Sequence, residues 1–157
     1  MSAVAGGAVV VTGGGRGIGA AIVRGLVARG VAVCIDHRDS AAEAEALAAE
    51  LAAAGGDVSV VQADMASEAE IVALFRTAEE RHGRLSGLVN NACFLGRSGR
   101  RIDEADGDVL RRSFLVNAVG PMLCAREFLR RASTRHGGSG GRIVNVSSIA
   151  ARTGSPH

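Results

Sequence analysis

The 157-residue sequence contains no lysine, no tyrosine and no tryptophan, and all 18 of its basic residues are arginine. Chemistry that needs a side-chain amine or a phenol therefore cannot come from these residues, and a P-loop is excluded with its lysine. The four phenylalanines leave few rings for base stacking. Net charge is +2, and the arginines are scattered apart from the pairs Arg100–Arg101, Arg111–Arg112 and Arg130–Arg131. Nucleic-acid binding is accordingly not expected. Cysteine is scarce as well. Cys34, Cys93 and Cys124 are odd in number, far apart and without metal or redox spacing, as in reduced intracellular thiols. His37, His82, His136 and His157 are equally dispersed, so no metal site is expected. No apolar run approaches the ~18 residues of a membrane span. Met1 to Ala5 has neither a basic segment nor a long apolar stretch, so no secretory signal is visible and a cytoplasmic location is expected.

What is present suits a packed core: 47% hydrophobic and 22% charged residues, mean hydropathy +0.20, and 22 glycines without a three-residue period. One domain covering 1–157 is expected. Ala8 to Val11 is a short apolar run that meets Thr12 and a glycine cluster. Ile18, Ile22 and Leu26 then recur at helical spacing, and Gly30 is placed to end that helix. Val31 to Ile35 predicts a buried parallel strand. Ser40 with Glu43 has the pattern of a capping box before an Ala/Leu/Glu helix that stops at Gly55–Gly56. The unit repeats as a strand over Val58 to Ala63, a capping box of Ser67 and Glu70, and a helix stopped at Gly83. Leu85 to Val89 predicts a fourth strand, Asp106 to Ser133 a long helix, and Ile143 to Val146 a fifth strand. Such alternation argues for an α/β domain with a doubly wound parallel sheet, whose ligands bind beyond the carboxyl ends of the strands.

The residues at those ends have a consistent chemistry. Thr12-Gly13-Gly14-Gly15-Arg16-Gly17-Ile18-Gly19 allows a tight turn and a close approach of backbone to a pyrophosphate, at the positive end of the following helix. It matches the general dinucleotide pattern only in relaxed form, as Gly15-x-Gly17-x-x-Ala20. Asp36, His37 and Arg38 follow the second strand. A carboxylate there accepts from an adenosine ribose and favours NAD, whereas Arg38, with Arg16 in reach, favours the 2′-phosphate of NADP. Two guanidiniums against one carboxylate tip the balance to NADP(H). Asp64-Met65 follows the third strand, where a carboxylate can accept from the adenine amino group or merely lead into the helix that Ser67 caps. Asn117 sits inside the long helix four residues before Pro121, which has no N–H to offer the Asn117 carbonyl.

Together, Thr12-Gly13-x-x-x-Gly17-Ile18-Gly19, Asp64, Asn90-Asn91-Ala92, Asn117 and Val146-Ser147-Ser148 resemble the short-chain dehydrogenase/reductases in order and spacing. Asn145-Val146-Ser147-Ser148 looks most like the sugar-dehydrogenase and 3-oxoacyl-reductase branches. The resemblance implies a Rossmann-type fold, truncated after its fifth strand. It implies that Gly13, Gly17 and Gly19 line the pyrophosphate, that Asp64 holds adenine, and that Asn90 and Ala92 support the cofactor's ribose side. It further implies that Ser148 hydrogen-bonds the substrate oxygen and that the Asn117 carbonyl holds a relay water. Cys93 stands where the family usually has glycine.

The family's proton donor is a tyrosine assisted by a lysine four residues later, and that tyrosine follows the serine by about thirteen or fourteen residues. Only nine residues, Ile149 to His157, follow Ser148. The expectation is an N-terminal part of a dehydrogenase acting on a small carbonyl or alcohol, inactive alone, with homo-oligomers expected of a full-length parent. A non-catalytic nucleotide-binding or interaction fragment is the alternative. An S-adenosylmethionine-dependent methyltransferase also fits Asp36 and Asp64, but Asn90-Asn91-Ala92 and Ser147-Ser148 argue against it.

Overall fold

The computed structural model describes residues 6–96 and 101–154, with backbone alone at Ile102. Met1 to Ala5, Arg100 of the arginine pair and His157 lie outside the described residues. Five parallel strands form one sheet in the order β3-β2-β1-β4-β5. They are β1 (Ala8–Val11), β2 (Val33–His37), β3 (Val58–Gln62), β4 (Leu85–Asn90) and β5 (Arg142–Asn145). The connecting helices are α1 (Gly17–Val27), α2 (Ala41–Ala53), α3 (Glu68–His82), α4 (Gly107–Phe114) and α5 (Gly120–Ala132), followed by a short α6 (Ala150–Thr153).

Side chains alternate across a strand, so each central strand feeds two cores. Ala8 and Val10 of β1 join Leu74, Phe75, Cys124 and Phe128 of α3 and α5 on one face. Val9 and Val11 join Val23, Ala44, Leu47 and Leu51 of α1 and α2 on the other. Helices cover both faces, the doubly wound α/β arrangement expected.

Several features differ from expectation, each for a local reason. The second strand begins at Val33 because Gly30 N and Val31 N are still donating to Val27 O and Leu26 O in the turn that leaves α1. Asp36 and His37 consequently lie within β2, paired with Val61 and Gln62, and not beyond it. Ser40 precedes α2 without a side-chain cap, so the expected capping box does not form. At α3 half of the box forms: Ser67 Oγ accepts from Glu70 N at 3.4 Å, but the Glu70 carboxylate accepts from Asp64 N at 2.8 Å. The long helix is two α segments joined by a π turn over Leu115–Val119, just before Pro121. Widened turns of this kind recur at functional sites.

Candidate functional site

The cleft lies at the carboxyl ends of β1, β2 and β3, and its floor is a tightly tied loop. Thr12 Oγ1 accepts from Asn91 N and Ala92 N, both at 3.0 Å. The Asn91 side chain in turn donates to Thr12 O and Gly13 O, each at 3.0 Å. The end of β4 thereby fixes the turn after β1. Gly13 has φ +62°, and a Cβ on Gly19 would stand 2.3 Å from Gly13 O. Only hydrogen fits there, which is why the chain has glycine.

Above this floor α1 starts at Gly17. Arg16, its N-cap residue, makes no side-chain cap, and the first turn holds no acidic residue. The first-turn N–H groups have no intrahelical acceptors, and the positive end of the helix dipole opens on the cleft. A diphosphate fits this cradle in charge and in clearance.

Gly13, Arg16, Ile18, Gly19, Asp36, Arg38, Asp64, Met65 and Ala92 all border one cleft of about 310 Å³. Gly17 belongs to the same turn with φ +54°. Asp36 is 1% exposed; its Oδ2 accepts from Gly13 N at 3.1 Å and its backbone oxygen from Gly14 N at 2.9 Å. Its Oδ1 has no hydrogen-bond partner among the described residues. Burial pushes the carboxyl up to about 7, against the pull of the Gly13 and Ala63 N–H groups. Arg38 is half exposed and ion-paired with Asp39.

Asp64 makes two contacts through its carboxylate: Oδ1 accepts from Ala66 N at 2.9 Å and Oδ2 from Arg112 Nη2 at 2.6 Å. Burial raises its pKa, but the Arg112 guanidinium, the Ala66 N–H and the Arg38 charge together lower it, with a net shift below the usual carboxylate value. Met65 is buried, with its sulfur 3.6 Å from Cys124 Sγ.

Asn90 and Asn117 border a second cleft, of about 700 Å³, together with Ala92, Cys93, Pro121, Asn145 and Ser147. Asn90 turns toward it and away from the glycine loop, donating to Asn145 Oδ1 at 2.8 Å and Pro121 O at 3.4 Å. The Asn117 side chain grips one peptide segment from both sides. Its Oδ1 accepts from Phe94 N at 2.8 Å and its Nδ2 donates to Phe94 O at 2.7 Å. Ser148 is exposed and its Oγ accepts from Ala150 N at 3.2 Å, capping the turn into α6. Ser147, its neighbour, is the serine that borders the cleft.

Sequence reasoning missed three participants. Thr12 and Asn91 stand inside the motifs that named their neighbours, and adjacent polar side chains were the available signal. Arg112 gave none, since its partner Asp64 is 48 residues away. Among the described residues no group of three or more His, Cys, Asp or Glu side chains is placed to hold a metal ion. Cys34, Cys93 and Cys124 are free thiols, and no described helix is long and apolar enough to cross a membrane.

The sequence model described as short chain dehydrogenase matches residues 7–157. An uncharacterized oxidoreductase of Escherichia coli, YgfF, is 37% identical over 147 residues, 94% of this chain and 59% of that protein. The 2,5-dichloro-2,5-cyclohexadiene-1,4-diol dehydrogenase of Sphingobium indicum is 36% identical, over 99% of this chain and 60% of its own length. Among solved structures, an alternative dihydrofolate reductase from Brucella canis complexed with NADP superposes with TM-score 0.86 at 31% identity, covering 99% of this chain and 61% of that one. A blue fluorescent protein from a metagenomic library, in complex with NADPH, gives TM-score 0.85 at 32% identity over 98% and 61% of the two chains. The chain thus spans about three fifths of the length of these relatives.

Proposed function

The chain belongs to the short-chain dehydrogenase/reductase family, and from that premise we propose that it forms the coenzyme-binding part of an oxidoreductase using NADP(H) on a carbonyl or secondary alcohol. The nicotinamide, when bound, supplies or accepts the hydride. The observation that carries the reading is the tied glycine turn beneath the uncapped start of α1, with Gly19 too close to Gly13 O to bear a side chain.

In this reading Gly13, Gly17, Ile18 and Gly19 receive the diphosphate, while Asp64 and Met65 receive adenine. Arg38 and Arg16 border the cleft where a 2′-phosphate would be held. Burial of Asp36 keeps its carboxyl partly protonated near neutrality, which weakens its repulsion of that phosphate. NADP and NADPH complexes among the structural relatives support the same preference.

Ser148 orients the substrate oxygen once its hydroxyl leaves Ala150 N, and Asn117 holds the segment at Phe94 that runs between the two clefts. Neither has a phenol or amine beside it, because these 157 residues contain none. Turnover by this polypeptide alone is therefore not expected.

Titration of the 157-residue chain with NADPH, NADH and S-adenosylmethionine tests the reading. NADPH should bind most tightly, and Arg38→Asp should shift preference toward NADH by about tenfold. Unchanged relative affinities would remove Arg38 from the phosphate site. Binding of S-adenosylmethionine without NADPH would remove the function.

A further inference from the structure

Asp64 is bound on one side by its own chain and on the other by a distant helix. Ala66 N holds Oδ1 at 2.9 Å, and Arg112 Nη2, from α4, holds Oδ2 at 2.6 Å. With both oxygens anchored, the carboxylate plane is fixed, and one lone pair on each oxygen remains for a ligand. The Arg112 guanidinium is itself confined, since it lies 5.5 Å from the centroid of the Phe94 ring. Phe94 is held at N and O by the Asn117 side chain, at 2.8 and 2.7 Å. Arg112, Phe94 and Asp64 line a cavity of about 510 Å³ that adjoins the glycine-loop cleft through Arg38, Asp39, Asp64 and Phe94.

A fixed carboxylate at this edge discriminates between purines. A 6-amino group donates to it, whereas a 6-oxo group would oppose acceptor to acceptor. We propose that Arg112 is a positioning residue that holds the Asp64 carboxylate where it selects a 6-aminopurine over a 6-oxopurine at the adenosine end of the coenzyme. The inference rests on the dinucleotide reading of the cleft. Arg112 does not border the glycine-loop cleft itself, and it reaches the adenosine end through its ion pair with Asp64 and its contact with the Phe94 ring. Without it the carboxylate is free to rotate about its last torsion, and a water can satisfy either purine.

The test compares NADPH with its hypoxanthine analogue, in which the 6-amino group is replaced by oxygen, by fluorescence titration of the 157-residue chain. The unaltered chain should favour the adenine coenzyme by about tenfold or more. Arg112→Met should reduce that ratio to within about twofold while leaving the affinity for the hypoxanthine coenzyme nearly unchanged. Arg112→Lys keeps a charge without the planar fork and should restore part of the ratio, which also covers the case in which the Met variant fails to fold. A ratio unaltered in both variants, or equal weakening of both coenzymes, would overturn the inference and leave Arg112 with a packing role. Absence of adenine preference in the unaltered chain would overturn it too. If neither coenzyme binds the unaltered chain, the dinucleotide reading itself falls.

Discussion

Strands β1 and β5 are each four residues long, parallel to the same neighbour β4, and rich in valine and isoleucine or alanine, yet their fates are opposite. Every residue of β1 is buried and every residue of β5 is exposed. Val89 of β4 and Val144 of β5 are register partners on one face of the sheet, but they are 7% and 53% exposed. The layer of α1 and α2 reaches Val89 and stops there. Burial in a parallel sheet is conferred by the helices laid over it, so the same residue type stabilises the fold at one position and is inert at the next. The long helix repeats the lesson: Cys124 and Phe128 face the core, while Phe114 and Met122 remain exposed.

The comparison is broken most forcefully at the glycine turn, where clearance is least. Gly19→Ala would place a methyl group 2.3 Å from Gly13 O. NADPH binding should be lost, and the urea midpoint should fall by an amount equivalent to about 3 kcal/mol or more. Retained NADPH affinity would show that the loop does not form the binding floor.

Asp36 gives an effect of comparable size that depends on pH. Its folded-state pKa, raised by burial to about 7 from the ordinary 3.8, means that between those values the folded chain holds a proton the unfolded chain releases. Its contribution to stability is therefore most favourable at low pH and is lost as pH rises through the interval between those values. The full loss is on the order of 4 kcal/mol. Urea unfolding from pH 4 to pH 8 should show this decline, and Asp36→Asn should flatten it. An equal slope in both proteins would mean that Asp36 is not the titrating group.

The smallest effects sharpen the contrast between strands. Val10→Ala, in the core beneath α3 and α5, should cost roughly 2 kcal/mol. Val144→Ala on β5 should cost no more than about 0.5 kcal/mol. Equal costs would show that the outer face of β5 is covered in solution.

Much of this architecture was legible because it is written in local pattern. Apolar runs of four to six residues, glycine stops at Gly30, Gly55 and Gly83, and the Ser67 cap place the alternating units without reference to the rest of the chain. The ends of β2 were less legible. Asp36 reads as a polar residue beyond an apolar run, yet it is paired within the strand and nearly inaccessible. A polar side chain marks a strand end only when solvent reaches it, and here Gly13 N takes the place of solvent. Ser40 failed as a cap for the converse reason, since its side chain makes no bond to the first turn of α2.

By itself the sequence determined the order of strands and helices, the glycine turn and the absence of amine and phenol side chains, because spacing and composition need no distant partner. Only the tertiary structure decided that Asn91 ties the turn while Asn90 faces the other cleft, that Ser147 and not Ser148 borders it, and that Arg112 reaches Asp64. Those contacts join residues far apart in the chain. Their geometry is set by how the helices pack on the sheet, a relation that no local pattern encodes.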